Sequence, residues 1–226
     1  MAALFLSGGG DKEHTEKFDD TFTGVIDKEK PLLYIPIAMK NIRSYSECLE
    51  WFTSVFNPLG VQEIAMWTGV ERKSLDDLHQ FSGVYIGGGN TYSLLQDFRF
   101  SKFDAVLTDY IQSGGTVYGG SAGAIILGSN IETCAHLDSN NVGVTVFNGF
   151  KLIGNYAIWC HYEPENDELI KNFLHTNQTP VIALPEETGI YIDKEMMKIT
   201  GIKPATIFSG PESKQEVWPG SESVLL

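Results

Sequence analysis

Gly119-Gly120-Ser121-Ala122-Gly123 constrains this chain more than any other stretch. The pentapeptide fits G-x-S-x-G, a turn in which a serine stands at a sharp junction between a strand and a helix. The flanks agree with that junction. Thr116-Val117-Tyr118 reads as a short buried strand led in by Gly114-Gly115, and Ala124-Ile125-Ile126-Leu127 reads as an apolar helix start. Glycines on both sides leave room where a tight, strained backbone would otherwise clash. The Ser121 hydroxyl is then held out above a helix N-terminus, whose free N–H groups favour developing negative charge. A turn of small residues without chemistry has the same local pattern. The strand and helix context is what carries the reading of Ser121 as a nucleophile.

The rest of the chain supplies a setting for such a turn. Residues 3–7, 31–37, 61–67 and 84–86 are apolar strand candidates, and 14–26, 45–56, 75–81, 91–98 and 103–112 have helical character. In the second of these helices Cys48, Leu49, Phe52 and Phe56 share a face. In the tail, residues 188–192 and 197–202 flank Asp193-Lys194, with 205–208 and 216–218 beyond; these read as short antiparallel strands closing one edge. The alternation predicts an α/β fold in one domain spanning 1–226. Its core is a doubly wound, mostly parallel sheet covered by helices on both faces, three layers in all, with antiparallel strands near the C-terminus. Sites in such sheets lie beyond the carboxyl ends of the strands. Gly87-Gly88-Gly89-Asn90 and Ser121, both at strand-to-helix turns, fall on that edge.

Composition narrows the function classes. The net charge is −13, and the 16 Lys and Arg residues form no basic run, which argues against a nucleic-acid partner. No apolar run reaches membrane-spanning length, and the short apolar N-terminus has no basic residues ahead of it, so it reads as a first strand rather than a signal peptide. No membrane partner is expected. The three cysteines, Cys48, Cys134 and Cys160, are sparse and odd in number, which fits a reducing compartment and a cytoplasmic location. No histidine or acid cluster has metal-ligand spacing, and the glycine runs match neither phosphate-binding pattern. Neither a metal nor a cofactor is expected.

A serine nucleophile needs a base, and the base needs an acceptor to orient it. His14 and His79 lie in polar helical stretches, and His175 falls near a helix C-terminus, where a cation suits the dipole. His161 follows the apolar run 155–160 and precedes Glu163-Pro164 and a helix start, which puts it at a strand's carboxyl end on the active edge. It is the favoured base, with His136 the runner-up. Asp138, in the loop after the elbow helix, and Glu186 or Glu187, after Leu184-Pro185, are the candidate acceptors. Spacing does not choose among them, though the strand-end location leans to Glu186. For the oxyanion, Ala122 offers one backbone N–H and a glycine of Gly87-Gly88-Gly89 the other. Gly88 and Asn90 are candidate substrate contacts. Gly8-Gly9-Gly10 adds at most a lip to the cleft.

Four stretches together make a resemblance: Ser7-Gly8-Gly9-Gly10; Ile86-Gly87-Gly88-Gly89-Asn90-Thr91 with Leu94-Leu95; Gly119-Gly120-Ser121-Ala122-Gly123-Ala124; and Leu184-Pro185-Glu186. In this order and spacing the chain resembles the peptidase E family of serine peptidases, which includes aspartyl dipeptidases and cyanophycinase relatives. The resemblance implies a fold like the class I glutamine amidotransferases, with serine where those enzymes use cysteine. It implies that Ser121 attacks a peptide carbonyl, that His161 is the base, and that Gly89 and Ala122 supply the oxyanion amides. This chain reads Trp159-Cys160-His161-Tyr162 where relatives often have Asn-Pro-His-Phe. For the third member the family offers an aspartate downstream of the elbow helix or the glutamate after Leu-Pro. An ungapped match puts His136 at the aspartate's position, with Asp138 two residues on, while Glu186 matches the glutamate. The aspartyl dipeptidases use an arginine after the catalytic histidine, whereas this chain has only Arg43, Arg72 and Arg99.

The resulting expectation is a cofactor-free serine exopeptidase acting on dipeptides or short peptides, without implied aspartyl specificity. A cyanophycinase-like amide hydrolase and a catalytically silent ligand-binding homologue are the alternatives. The expected partner is a small peptide, with a homodimer as an option.

Overall fold

A computed structural model describes residues 3–193 and 196–224. The first half of the chain alternates β1 (Ala3–Ser7), α1 (Lys12–Thr23), β2 (Leu32–Ile35), α2 (Tyr45–Phe56), β3 (Ile64–Met66), α3 (Leu75–Leu78), β4 (Gly83–Ile86), α4 (Thr91–Phe100), α5 (Phe103–Gln112), β5 (Thr116–Gly120) and α6 (Ala122–Leu127). The strands lie side by side as β1-β5-β4-β2-β3, all parallel. The second half holds β6 (Ala157–Cys160), α7 (Asp167–Asn177), β7 (Val181–Leu184), β8 (Thr188–Asp193), β9 (Met196–Gly201), β10 (Ala205–Gly210), β11 (Ser213–Val217) and β12 (Glu222–Val224).

Alternation along the strands decides the layers, because successive side chains point to opposite faces. Leu4, Leu6, Leu33, Ile35, Val84, Ile86 and Val117 are buried in one cluster with Leu94 and Phe98 of α4, Leu107 of α5 and Ile126 of α6. Phe5, Tyr34, Tyr85 and Tyr118 are buried in another, with Phe18 and Phe22 of α1 and Phe52 and Phe56 of α2. The register lines up Tyr34, Tyr85, Tyr118 and Phe5 as one aromatic row across four strands. Tyr85 and Tyr118 stack with ring centroids 4.3 Å apart. The three-layer expectation therefore holds, with helices on both faces of a mostly parallel sheet.

The tail differs from its expectation in one respect. Its antiparallel strands do not all close the same edge. β8, β9 and β12 extend the large sheet beyond β1. β10 and β11 join the parallel pair β6–β7 in a second sheet of order β11-β10-β7-β6. Val181, Ile182, Ala183 and Leu184 of β7 are all fully buried, so an unpaired β7 edge would leave its backbone groups without partners. β10 covers that edge, pairing Thr206 with Ala183 and Phe208 with Val181. Asp193 ends β8, while Lys194 of the expected Asp193-Lys194 turn lies outside the described residues, as do Met1 and Ala2. No described helix is long and apolar enough to cross a membrane.

Candidate active site

Two strand ends from two sheets meet at this site. β5 ends at Gly120 and α6 begins at Ala122, leaving Ser121 alone at the junction with φ 50° and ψ −110°. A positive φ is strained for a residue with a side chain, and such strain persists only where the surroundings enforce it. Here the Ser121 N–H donates to Ser7 O at 3.2 Å, while its carbonyl accepts from Ala124 N and Ile125 N at 2.8 and 3.0 Å. His161 follows the end of β6 and also has a positive φ, 53°. Its N–H donates to Gly8 O at 2.9 Å, so the turn after β1 holds the histidine's backbone. Gly9, with φ +106°, lies flat against the imidazole; a Cβ there would overlap Cε1 of the ring. The glycine run after β1 is therefore a cradle for His161 as well as a lip of the cleft.

Ser121 Oγ and His161 Nε2 are 2.7 Å apart. On the other side of the ring, His161 Nδ1 lies 2.8 Å from Glu186 Oε1. Glu186 comes from the connection after β7, beside β6. With its proton on Nδ1 facing the carboxylate, the imidazole presents an unprotonated Nε2 to the serine. Both side chains are partly open, at 29% for His161 and 38% for Glu186, as a site that admits a substrate requires.

Backbone donors surround the serine. Ala122 is the first residue of α6, so its N–H has no acceptor within the helix. Among the described residues the Gly88 and Gly89 N–H groups also donate to no protein acceptor. A Cβ added to Gly88 would stand 3.8 Å from Ser121 Oγ, so this bare backbone forms the wall beside the hydroxyl. Asn90 serves the fold: its side chain caps α4 by accepting from Ser93 N at 2.9 Å and donates to Ser139 O at 3.0 Å.

The other predicted residues are engaged elsewhere. Asp138 Oδ2 accepts from Thr91 N at 2.8 Å and so caps α4, while Glu186 is the acid the fold brings to His161. Glu187 pairs with Lys203 at 3.0 Å. His136 stacks on Trp159 at 4.2 Å, with Nδ1 2.9 Å from Thr133 O, and burial lowers its pKa. His79 contacts Ser113 Oγ at 3.0 Å, and His175 sits in the last turn of α7. The three cysteines are free and buried. Burial pushes the Cys134 thiol up to about 12 and raises Cys48 and Cys160 as well, so none is a ready thiolate. Among the described residues no group of three or more His, Cys, Asp or Glu is arranged to hold a metal ion.

Ser121 opens into a cavity of about 520 Å³ on the aromatic face of the sheet, walled by Tyr34, Met39, Trp51 and Tyr85. Two further wall residues escaped the sequence reading. Arg43 stands in the connection between β2 and α2. Burial raises the Tyr34 phenol and the Cys48 thiol, and the Arg43 charge pulls both back in part. His14, in the first turn of α1, lies 3.5 Å from Glu186 Oε2 and 3.1 Å from Asp11 Oδ1 through Nδ1. Both follow the carboxyl ends of parallel strands, and that position was the signal available in the sequence.

The model of peptidase family S51 matches residues 3–200. A probable alpha-aspartyl dipeptidase of Drosophila melanogaster is 24% identical over 239 residues, covering 100% of this chain and 95% of the relative. A Peptidase E of Actinobacillus pleuropneumoniae serotype 5b (strain L20) is 28% identical over 195 residues, 80% of each chain. The crystal structure of a peptidase from an acI-B1 Actinobacterium superposes with a TM-score of 0.76 at 18% identity, covering 99% of this chain and 97% of that one. That last likeness is one of fold.

Proposed function

The chain belongs to peptidase family S51, and from that premise we propose that it is a serine-type exopeptidase acting on dipeptides or short peptides through Ser121, His161 and Glu186. The observation that carries this reading is the continuous line Ser121 Oγ–His161 Nε2–His161 Nδ1–Glu186 Oε1, with contacts of 2.7 and 2.8 Å. His161 takes the Ser121 proton as Oγ attacks the peptide carbonyl carbon. The tetrahedral oxyanion rests on the N–H groups of Gly89 and Ala122, each donor contributing about 3 kcal/mol of transition-state stabilisation. The imidazolium passes its proton to the leaving amine as the C–N bond breaks. Water, deprotonated by His161, then attacks the acyl-enzyme and frees Ser121 and a carboxylic acid product. Glu186 fixes the tautomer and stabilises the imidazolium.

Arg43 supports a preference for a carboxylate on the substrate, because a guanidinium pairs with carboxylates through two parallel hydrogen bonds. The site draws Ser121 from the large sheet and His161 from the small one, which supports reading residues 1–226 as one peptidase domain. Three free, buried cysteines support a reducing, cytoplasmic setting.

The test is mass spectrometry of products from a dipeptide and short-peptide library, run on the wild type and on Ser121→Ala. The wild type releases free amino acids, and the variant, with unchanged circular dichroism, releases none. Hydrolysis by the variant at the wild-type rate overturns the assignment.

A further inference from the structure

Glu186 touches two histidines. Oε1 faces His161 Nδ1 at 2.8 Å, a hydrogen bond, and Oε2 faces His14 Nδ1 at the longer distance of 3.5 Å. The three side chains come from three separate places: His161 from the connection after β6, Glu186 from the connection after β7, and His14 from the first turn of α1. Gly10 makes the meeting sterically feasible. A Cβ there would stand 2.8 Å from His14 Cβ and 3.0 Å from Glu186 Cβ, so any larger residue would pry the two apart. His14 Nδ1 has three neighbours: Asp11 Oδ1 at 3.1 Å, Glu186 Oε2 at 3.5 Å, and the Asp11 N–H at 3.5 Å. Two are carboxylate oxygens: in the tautomer that carries its proton on Nδ1 that proton faces Asp11 and Glu186, and in the other tautomer Nδ1 accepts from the Asp11 N–H. Asp11 in turn is fixed, its Oδ1 accepting from Glu13 N and His14 N at 3.0 and 3.2 Å.

We propose that His14 is a positioning residue: it ties the Oε2 edge of Glu186 to the start of α1, so that the Oε1 edge stays against His161. The argument rests on Glu186 being the triad acid. A glutamate after a strand end has three rotatable bonds and is 38% exposed here, so one hydrogen bond to His161 does not hold it in a single rotamer. A second contact on the opposite oxygen fixes the carboxylate plane. The imidazole is then oriented in turn, and Nε2 stays within reach of Ser121. Glu187 next in the chain is held by Lys203 at 3.0 Å, so the connection is anchored on the far side too. His14 touches neither Ser121 nor the oxyanion donors, and its effect passes wholly through Glu186.

The experiment measures the rate at which a fluorophosphonate labels Ser121, which requires no knowledge of the peptide substrate. Wild type is compared with His14→Ala and His14→Gln, with kcat and KM on the best peptide as a second readout and Tm as a check on folding. Gln at this helix position keeps the capping box and can donate to Glu186 from its amide. The expected result is labelling and kcat slowed about tenfold in His14→Ala with KM little changed, as for a displaced catalytic group, and recovery of most of that loss in His14→Gln. Should the alanine variant not fold, His14→Met keeps the bulk without a donor and is expected to behave as alanine would. Labelling at the wild-type rate in the donor-less variant overturns the proposal, as does a Gln variant as slow as alanine. A wild type that neither labels nor cleaves peptides defeats the peptidase reading instead.

Discussion

The Tyr118 phenol donates to Asp19 Oδ1 at 2.8 Å, and Thr15 donates to the same carboxylate's Oδ2 at 2.7 Å, both inside the aromatic layer between the sheet and α1. Asp19 is 2% exposed, with its two hydrogen bonds as the compensation for burying a carboxylate. The compensation is incomplete. Burial lifts the carboxyl from its ordinary 3.8 to about 6, against the pull of the Thr15 and Tyr118 hydrogen bonds.

Stability should respond to that shift. Between about pH 4 and 6 the folded chain holds a proton that the unfolded chain has lost, so stability falls as pH rises through this window. The stabilisation returns in full only below the unfolded value. About two units correspond to about 3 kcal/mol at most. Asp19→Asn keeps an acceptor for Tyr118 and carries no charge. Urea unfolding at about pH 4.5 and about pH 7.5 should show a shallower fall for the variant, and higher stability than wild type at the upper pH by about 1–2 kcal/mol. A wild-type slope in the variant removes Asp19 as the cause.

The two candidate acids separate by what their loss costs. Glu186→Gln leaves the imidazole free to adopt the wrong tautomer and should lower kcat by about 10³–10⁴. Asp138→Ala removes the acceptor for Thr91 N and should lower stability by about 1 kcal/mol, the usual cost of a lost helix cap, with kcat within a factor of about three. Steady-state kinetics and urea unfolding on both variants test the pair; the reverse pattern would make Asp138 the orienting acid.

Gly9→Ala should act on His161 without touching it chemically. The added Cβ overlaps the imidazole, and φ +106° is unfavourable for alanine. The ring must move, and a displacement of about 1 Å costs about a hundredfold in rate. Fluorophosphonate labelling of Ser121 should slow by that order, whereas the far-UV circular dichroism stays the same.

Arg43→Gln removes the cavity's guanidinium. Against a panel of dipeptides, kcat/KM for acidic substrates should fall by about 10- to 100-fold, in line with loss of a charge-assisted pair, and stay within twofold for neutral ones. Arg43→Lys should recover only part, because an ammonium lacks the planar fork. Equal losses on acidic and neutral peptides would assign Arg43 to the wall alone.

The main architecture was legible because local signals agreed. The helices at 45–56 and 103–112 have the bounds that periodicity gives them, and Ser44 with Glu47 forms the capping box that starts the first. The Gly119–Gly123 elbow, flanked by an apolar strand and helix, located Ser121, and the run before His161 located the second side chain. Long-range pairing was less accessible. Residues 205–208 look like any short strand, and only the need of β7 for a neighbour sends them to the small sheet. The third strand shrinks from 61–67 to Ile64–Met66 because its pairing with β2 spans three residues. His14 and Arg43 went unassigned because the one signal they carry, a place after the carboxyl end of a parallel strand, does not report the carboxylate or the cavity that the fold brings beside them. Asp138 and Glu186 are alike as loop acids, and only spatial assembly separates the helix cap from the partner of His161.

Ser121 is carried by one sheet and His161 with Glu186 by another, so the proposed chemistry depends on two separately built platforms keeping station. Heat, denaturant or a crowding mutation that lets them drift by an ångström would silence the molecule while each still looked intact to circular dichroism. Loss of turnover would then be the earliest alarm that the seam had begun to open.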